Sequence, residues 1–149
     1  MIRRMMKRMI VFVIVILGFT FGAAFSADIV SLEREAQVLR VNLRGADSPS
    51  EKEAILRKII DTCKGTEEAE AAYWDLADLY LNDFPSERRR EATEMLELCL
   101  RTYPNSNRST MVKLRLIDLY DAKNKRRTEL INQLKSDKNV PEMIRSSLN

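Results

Sequence analysis

Apolar positions recur at three- and four-residue intervals through most of the chain. Over residues 29–43 they are Ile29, Leu32, Ala36, Leu39 and Leu43, a spacing that places one stripe along one side of a helix. Gly45 is the expected stop. Ser48-Pro49-Ser50-Glu51 then combines a capping hydroxyl, a proline suited to the first helical position and a glutamate where a capping box places it. A second helix is predicted to run to Lys64, with Gly65 as the left-handed residue that ends it. Thr66 caps a third helix, with Glu67 and Glu68 in the first turn, facing the positive end of the helix dipole. Its stripe is Ala69, Ala72, Tyr73, Leu76 and Tyr80. After the loop Asn82-Asp83-Phe84-Pro85, Ser86 is the expected cap of a fourth helix through about Thr102, with Ala92, Met95, Leu96, Cys99 and Leu100 inward. Tyr103-Pro104-Asn105-Ser106 breaks the chain. Helices are expected over 107–122 and 126–137, and a short last one from Val140-Pro141. No stretch alternates with period two over a useful length, so the expected fold class is all-α.

The N-terminus departs from this amphipathic pattern. Met1 to Arg8 is basic, Met9 to Phe21 is almost wholly apolar, and small residues follow at Gly22, Ala23, Ala24, Ser26 and Ala27. This is the layout of a secretory signal peptide, with cleavage expected after Ser26 and Ala24 as the second choice. The apolar run is shorter than the roughly twenty residues a spanning helix needs. The alternative is an uncleaved segment, residues 9–25, anchoring the chain in the inner membrane. The expected organisation is a signal or anchor over 1–26 and one helical domain over 27–149, placed in the periplasm or secreted.

Charge changes meaning once this segment is set apart. The 149 residues carry 25 Lys and Arg against 22 Asp and Glu. Arg3, Arg4, Lys7 and Arg8 precede the apolar run, and without them 21 basic residues face 22 acidic ones. A near-neutral domain lacks the basic patch that nucleic acid requires. The chain has no His, which removes the commonest general base and metal ligand. Cys-x-x-Cys, a Gly-rich phosphate loop and a nucleophile elbow are absent as well. No catalytic residue, cofactor or metal site is therefore assigned, and a binding role is expected rather than an enzymatic one.

The chain also repeats itself. Leu76-Ala77-Asp78-Leu79-Tyr80 returns forty residues on as Leu116-Ile117-Asp118-Leu119-Tyr120. At the same offset Glu51 meets Glu91, Ile55 meets Met95, Leu56 meets Leu96, Ile59 meets Cys99 and Ile60 meets Leu100. A fixed offset through both helices of a pair is what stacked helical hairpins produce, because each unit buries its face on the next. Tyr73, Leu76, Ala77 and Tyr80, followed by Ala92, Leu96, Cys99 and Pro104, resemble the tetratricopeptide repeat, with a unit of 37–40 residues instead of 34. Residues 69–106 form the good unit. The next keeps Leu116 and Tyr120 but has Lys113 and Ile117 at the large and small positions, and the pair over 29–64 matches only in its second helix. The resemblance implies an α-solenoid of about three antiparallel hairpins plus a short C-terminal helix. Its long units, with a Tyr-Pro-Asn-Ser link, look like those of bacterial envelope assembly and cell-division accessory proteins.

In that family the first helices of the pairs line a concave binding surface. Carried over, it would present Ala71, Trp74, Asp78 and Asn82 from one unit and Met111, Leu114, Asp118 and Asp121 from the next. Trp74 is turned toward Glu70 and Asp78, either as an anchor for a partner or packed on the adjacent pair. Asp78 and Asp118 would form an acidic stripe for a basic segment, or a solvated face. The family's clamp for C-terminal carboxylates is not implied, since Trp74 and Asp78 stand at its Lys and Asn positions. Arg88-Arg89-Arg90 and Lys123-Asn124-Lys125-Arg126-Arg127 read as solvated helix starts, with contact to anionic lipid as the alternative. An oxidising compartment permits a disulfide between Cys63 and Cys99; two buried, reduced thiols are the other reading. The expected function is an adaptor or scaffold that binds another envelope protein or peptide. The alternatives are a self-associating structural protein, forming a homo-oligomer through its exposed end repeats, and an inner-membrane-anchored domain without a peptide groove.

Overall fold

The computed structural model describes residues 30–84 and 88–148. The proposed signal or anchor over 1–26, Ile29 and the expected cap Ser86 lie outside the described residues. Among those described the chain is all-α, with seven helices and no strand. They are α1 (30–45), α2 (Pro49–Thr62), α3 (Glu67–Asn82), α4 (Arg89–Thr102), α5 (Ser109–Leu119), α6 (Lys125–Ser136) and α7 (Glu142–Ser147).

The local signals in the sequence act largely as expected. Ser48 Oγ accepts from the N–H of Glu51 at 3.2 Å, while the Glu51 carboxylate reaches back to the N–H of Asp47 at 3.3 Å. Pro49 stands in the first turn. Thr66 Oγ1 accepts from the N–H of Ala69 and donates to the carbonyl of Cys63, tying the end of α2 to the start of α3. Gly65 between them has φ +88°, and a Cβ there would touch nothing within 4 Å. Glycine is needed at this turn for its backbone alone. Several boundaries differ: α4 begins at Arg89, with Arg88 at its cap and no side-chain hydrogen bond there, α5 begins at Ser109 instead of 107, and α6 is shifted by one residue to Lys125–Ser136. Gly45 is the last residue of α1 instead of its stop. α2 ends at Thr62, two residues before Lys64. α5 ends at Leu119, because Tyr120 turns to extended geometry with ψ 141°.

Each helix packs on the next in the sequence, and the contacts fix them as antiparallel. Cys63 at the end of α2 donates to the carbonyl of Leu32 near the start of α1. Glu53 early in α2 meets Tyr80 late in α3. Arg89 at the start of α4 meets the carbonyl of Leu119 at the end of α5. The odd helices lie side by side, since Arg40 of α1 pairs with Glu68 and Asp75 of α3 and Asp78 of α3 pairs with Arg115 of α5. The even helices form the other layer, joined by Glu97 of α4 and Arg126 of α6. This is an all-α stack in sequence order.

One continuous core runs between the layers. It contains Leu56, Ile59 and Cys63 of α2, Ala72, Leu76 and Tyr80 of α3, Ala92, Leu96 and Cys99 of α4, Val112 and Leu116 of α5, and Leu130 and Leu134 of α6. Ile55, Ile60 and Met95 are only partly buried against it. Leu96→Ala is expected to cost about 2–5 kcal/mol, through lost burial and the cavity left behind. Met111→Ala, at an exposed position, should change stability by less than about 0.5 kcal/mol. Urea midpoints of the two variants check the contrast.

Candidate functional site

The odd-helix face carries most of the residues expected to bind a partner. The Asp78–Arg115 ion pair at 3.6 Å brings the exposed side of α3 against that of α5. Trp74 is half-buried and packs on the core, as does Leu114. Met111 is 57% exposed. Asn82 is exposed and donates to Asp78 Oδ1 at 2.8 Å. Toward α1, a cleft of about 260 Å³ has Leu43, Leu56 and Leu79 in its lining, with Asp75, Asp78 and Asp83 among the polar groups. Asp83 pairs with Lys52 at 3.1 Å.

Two expectations about this face need correction. The acidic stripe is not a run of free carboxylates: Arg40 engages Asp75 and Arg115 engages Asp78, so charge alternates along the face. Asp118 is exposed, but Asp121 leaves the face altogether. With α5 ended at Leu119, Asp121 falls in the turn to α6 and lines a separate cleft with Arg89, Arg90 and Asn124.

Part of each basic cluster is built into the fold, while Arg90, Lys123 and Lys125 stay exposed as a solvated helix start would have them. Arg88 stacks on the rings of Tyr80 and Phe84, with its guanidinium carbon 4.4 and 4.8 Å from their centroids. Arg89 donates to the carbonyls of Asp118 and Leu119, and Arg127 to that of Ile117. Three of the carbonyls at the end of α5 thus receive cationic donors from α4 and α6, which also oppose the negative end of the helix dipole. Arg90 remains exposed beside Glu94.

Sequence reasoning missed a polar clasp that recurs at the seams between hairpins. Tyr80 is fully buried, and its hydroxyl donates to Glu53 Oε1 at 2.6 Å while accepting from Arg57 at 2.7 Å. Arg88 closes on the other oxygen of Glu53 at 3.0 Å. At the next seam the Tyr120 hydroxyl donates to Glu97 Oε1 at 3.0 Å, and Arg126 grips both oxygens of Glu97 at 2.8 and 3.0 Å. In each case a tyrosine at the end of an odd helix meets a glutamate of the preceding even helix and an arginine at the start of the following one. The tyrosines were visible at the repeat offset, but their partners lie 44 and 38 residues apart and escape a scan at forty.

Burial, followed by the bond to Glu53, pushes the Tyr80 phenol up to about 12; burial and the bond to Glu97 raise Tyr120 equally. For the glutamates burial works in the opposite direction to the net effect. Tyr80, Arg57 and Arg88 together outweigh it at Glu53, and Arg126 and Tyr120 outweigh it at Glu97, so both carboxyls sit below their ordinary value. Cys63 and Cys99, considered as a disulfide pair, are free and buried. Burial, with the nearby Glu70, raises the Cys99 thiol to about 12.

Among the described residues no helix is long and apolar enough to cross a membrane. No family model, curated protein or solved structure matches the chain.

The clasps predict the response to pH. The folded carboxyls titrate below the ordinary value, so their contribution is complete above about 4.5 and is lost as pH falls through the lower folded values. The phenols titrate higher when folded, so stability falls as pH rises from 10 toward 12. Urea midpoints measured from pH 2 to 12 should decline at both ends, and Glu97→Gln should flatten the acid limb. Tyrosinate absorbance at pH 10 should be well below that of the urea-unfolded chain.

Proposed function

We propose that this chain is a helical-repeat binding module of the tetratricopeptide type, acting as an adaptor or scaffold in the bacterial cell envelope. A segment of another protein would lie across α1, α3 and α5. The Asp78–Arg115 pair is the observation that carries this reading, because it makes one surface of the side of α3 bearing Trp74 and the side of α5 bearing Met111 and Leu114. An apolar side chain of the partner would sit on Trp74 and Met111, and the alternating charges would set its register. Partly exposed ion pairs of this kind are worth about 0–1 kcal/mol, so a partner can exchange them for its own at small cost. Export rests on the N-terminal pattern of basic, apolar and small residues.

A second reading, self-association, has its own support. Val30, Val38 and Val41 are all more than half exposed on α1. At about 100° per residue they fall within roughly 80° of one another, on the end hairpin of the stack, where a copy would add.

The chain from residue 27 onward, immobilised in envelope extract, tests both readings. The wild type is expected to capture a partner that Trp74→Ala with Asp78→Lys loses, the circular dichroism of the two being alike. Equal capture would move binding to another surface. Concentration-dependent mass with no foreign partner would favour self-association.

A further inference from the structure

A second site lies away from the odd-helix face, where the start of α3 meets the loop from α4 to α5. A cleft of about 540 Å³, within the range of ligand pockets, is lined by Glu67, Glu70, Tyr103, Pro104, Ser106 and Arg108 among others. Glu70 is only 5% exposed and is, among the described residues, the one charged residue in the buried set. Its Oε1 accepts a hydrogen bond from Ser106 Oγ. Among the described residues its Oε2 has no hydrogen-bond partner, and no lysine or arginine nitrogen comes within 4 Å of the carboxylate. Oε2 is not sealed either. The one fully enclosed side-chain polar atom without a partner, among the described residues, is Arg145 Nε, so Oε2 keeps some access to solvent, and the cleft that Glu70 lines lies beside it.

A carboxylate this buried, with one hydrogen bond from a hydroxyl and no cation within 4 Å, gains from a cationic partner. The two acids of the lining outnumber its single base, Arg108. The ring of Tyr103 and Pro104 add an apolar wall suited to methylene groups. We infer that this cleft binds an alkylguanidinium or alkylammonium group, such as the side chain of an arginine or lysine in a partner protein, with Glu70 Oε2 as its acceptor. Ser106 positions the carboxylate. Arg108 opposes entry by charge. This site stands apart from the odd-helix face, and neither reading depends on the other.

The test is an amide-shift titration of the chain from residue 27, whose helices close their own core, with ethylguanidinium, butylammonium and an acetylated arginine amide. Saturable shifts are expected at Gly65 and Ser106. Glu70→Gln should weaken binding at least about tenfold, the worth of one charge-assisted hydrogen bond. Arg108→Gln should tighten it severalfold, and Trp74→Ala should leave it unchanged. Tighter binding of the arginine amide than of ethylguanidinium assigns the cation to a protein side chain; equal binding assigns it to free amines. Shifts that never saturate, or a Glu70→Gln titration identical to wild type, would overturn the site. Should Glu70→Gln fail to fold, an Arg108→Gln variant that binds no tighter would overturn it instead.

Discussion

A buried hydroxyl needs a partner, and Tyr80 sits at a seam shut off from bulk solvent. Leaving it unpaired would cost about 1–3 kcal/mol. Glu53 answers that need and creates another, because its carboxylate side chain is only 19% exposed and must itself be neutralised. Arg57 and Arg88 do so. The sequence of requirements therefore recruits three helices, α2 for the glutamate, α3 for the tyrosine and α4 for the second arginine. Tyr120, Glu97 and Arg126 repeat the arrangement one hairpin later. Apolar burial drives the layers together, but it is non-directional. The clasp supplies direction, since its bonds form only when one hairpin meets the next at a fixed height.

This explains what the sequence shows and what it hides. The helices are legible because their stripes, the Ser48 and Thr66 caps and the Gly65 turn are local. The repeat is legible because core positions and the terminal tyrosine recur at one offset. The clasp is hidden because its glutamate shifts by a full turn between the two seams, from Glu53 to Glu97. A glutamate on the polar side of a helix also looks solvated until the neighbouring hairpin is placed over it. The arginine clusters mislead for the same reason. Arg88 and Arg126 lie in runs of basic residues that resemble solvated helix starts, and only tertiary packing turns them inward. Asp121 was misplaced by a smaller effect: Tyr120 leaves helical geometry, which rotates the next residue off the face. Trp74 of α3 is half-buried against the core, a contact that periodicity alone does not supply.

The seams also bear on binding. A face assembled from separate helices is useful only if those helices hold their spacing, since ordering them at the moment of binding would draw on the binding energy. The clasps sit where odd helices end, and so fix α3 and α5 relative to the even layer behind them. Across the front, the Asp78–Arg115 pair is more exposed and exchangeable, while Arg40, paired with Asp75, is enclosed to about the same degree as the clasp arginines. Firm polar contacts at the back and an exchangeable pair at the front suit the proposed docking of another chain. The Glu70 cleft lies at the other end of the hairpin from the Tyr80 clasp, beside the turn that Gly65 and Tyr103 hold together.

The central claim is that the clasps couple neighbouring hairpins, and native-state amide exchange in an Arg126→Gln variant tests it most directly. If the clasp at Glu97 holds the last hairpin to the stack, protection falls in α5 and α6 while α2, α3 and the first turns of α4 keep wild-type values. Protection unchanged throughout, or lowered evenly from α2 to α6, would mean that the core alone binds the hairpins and that the clasp is incidental to the stack.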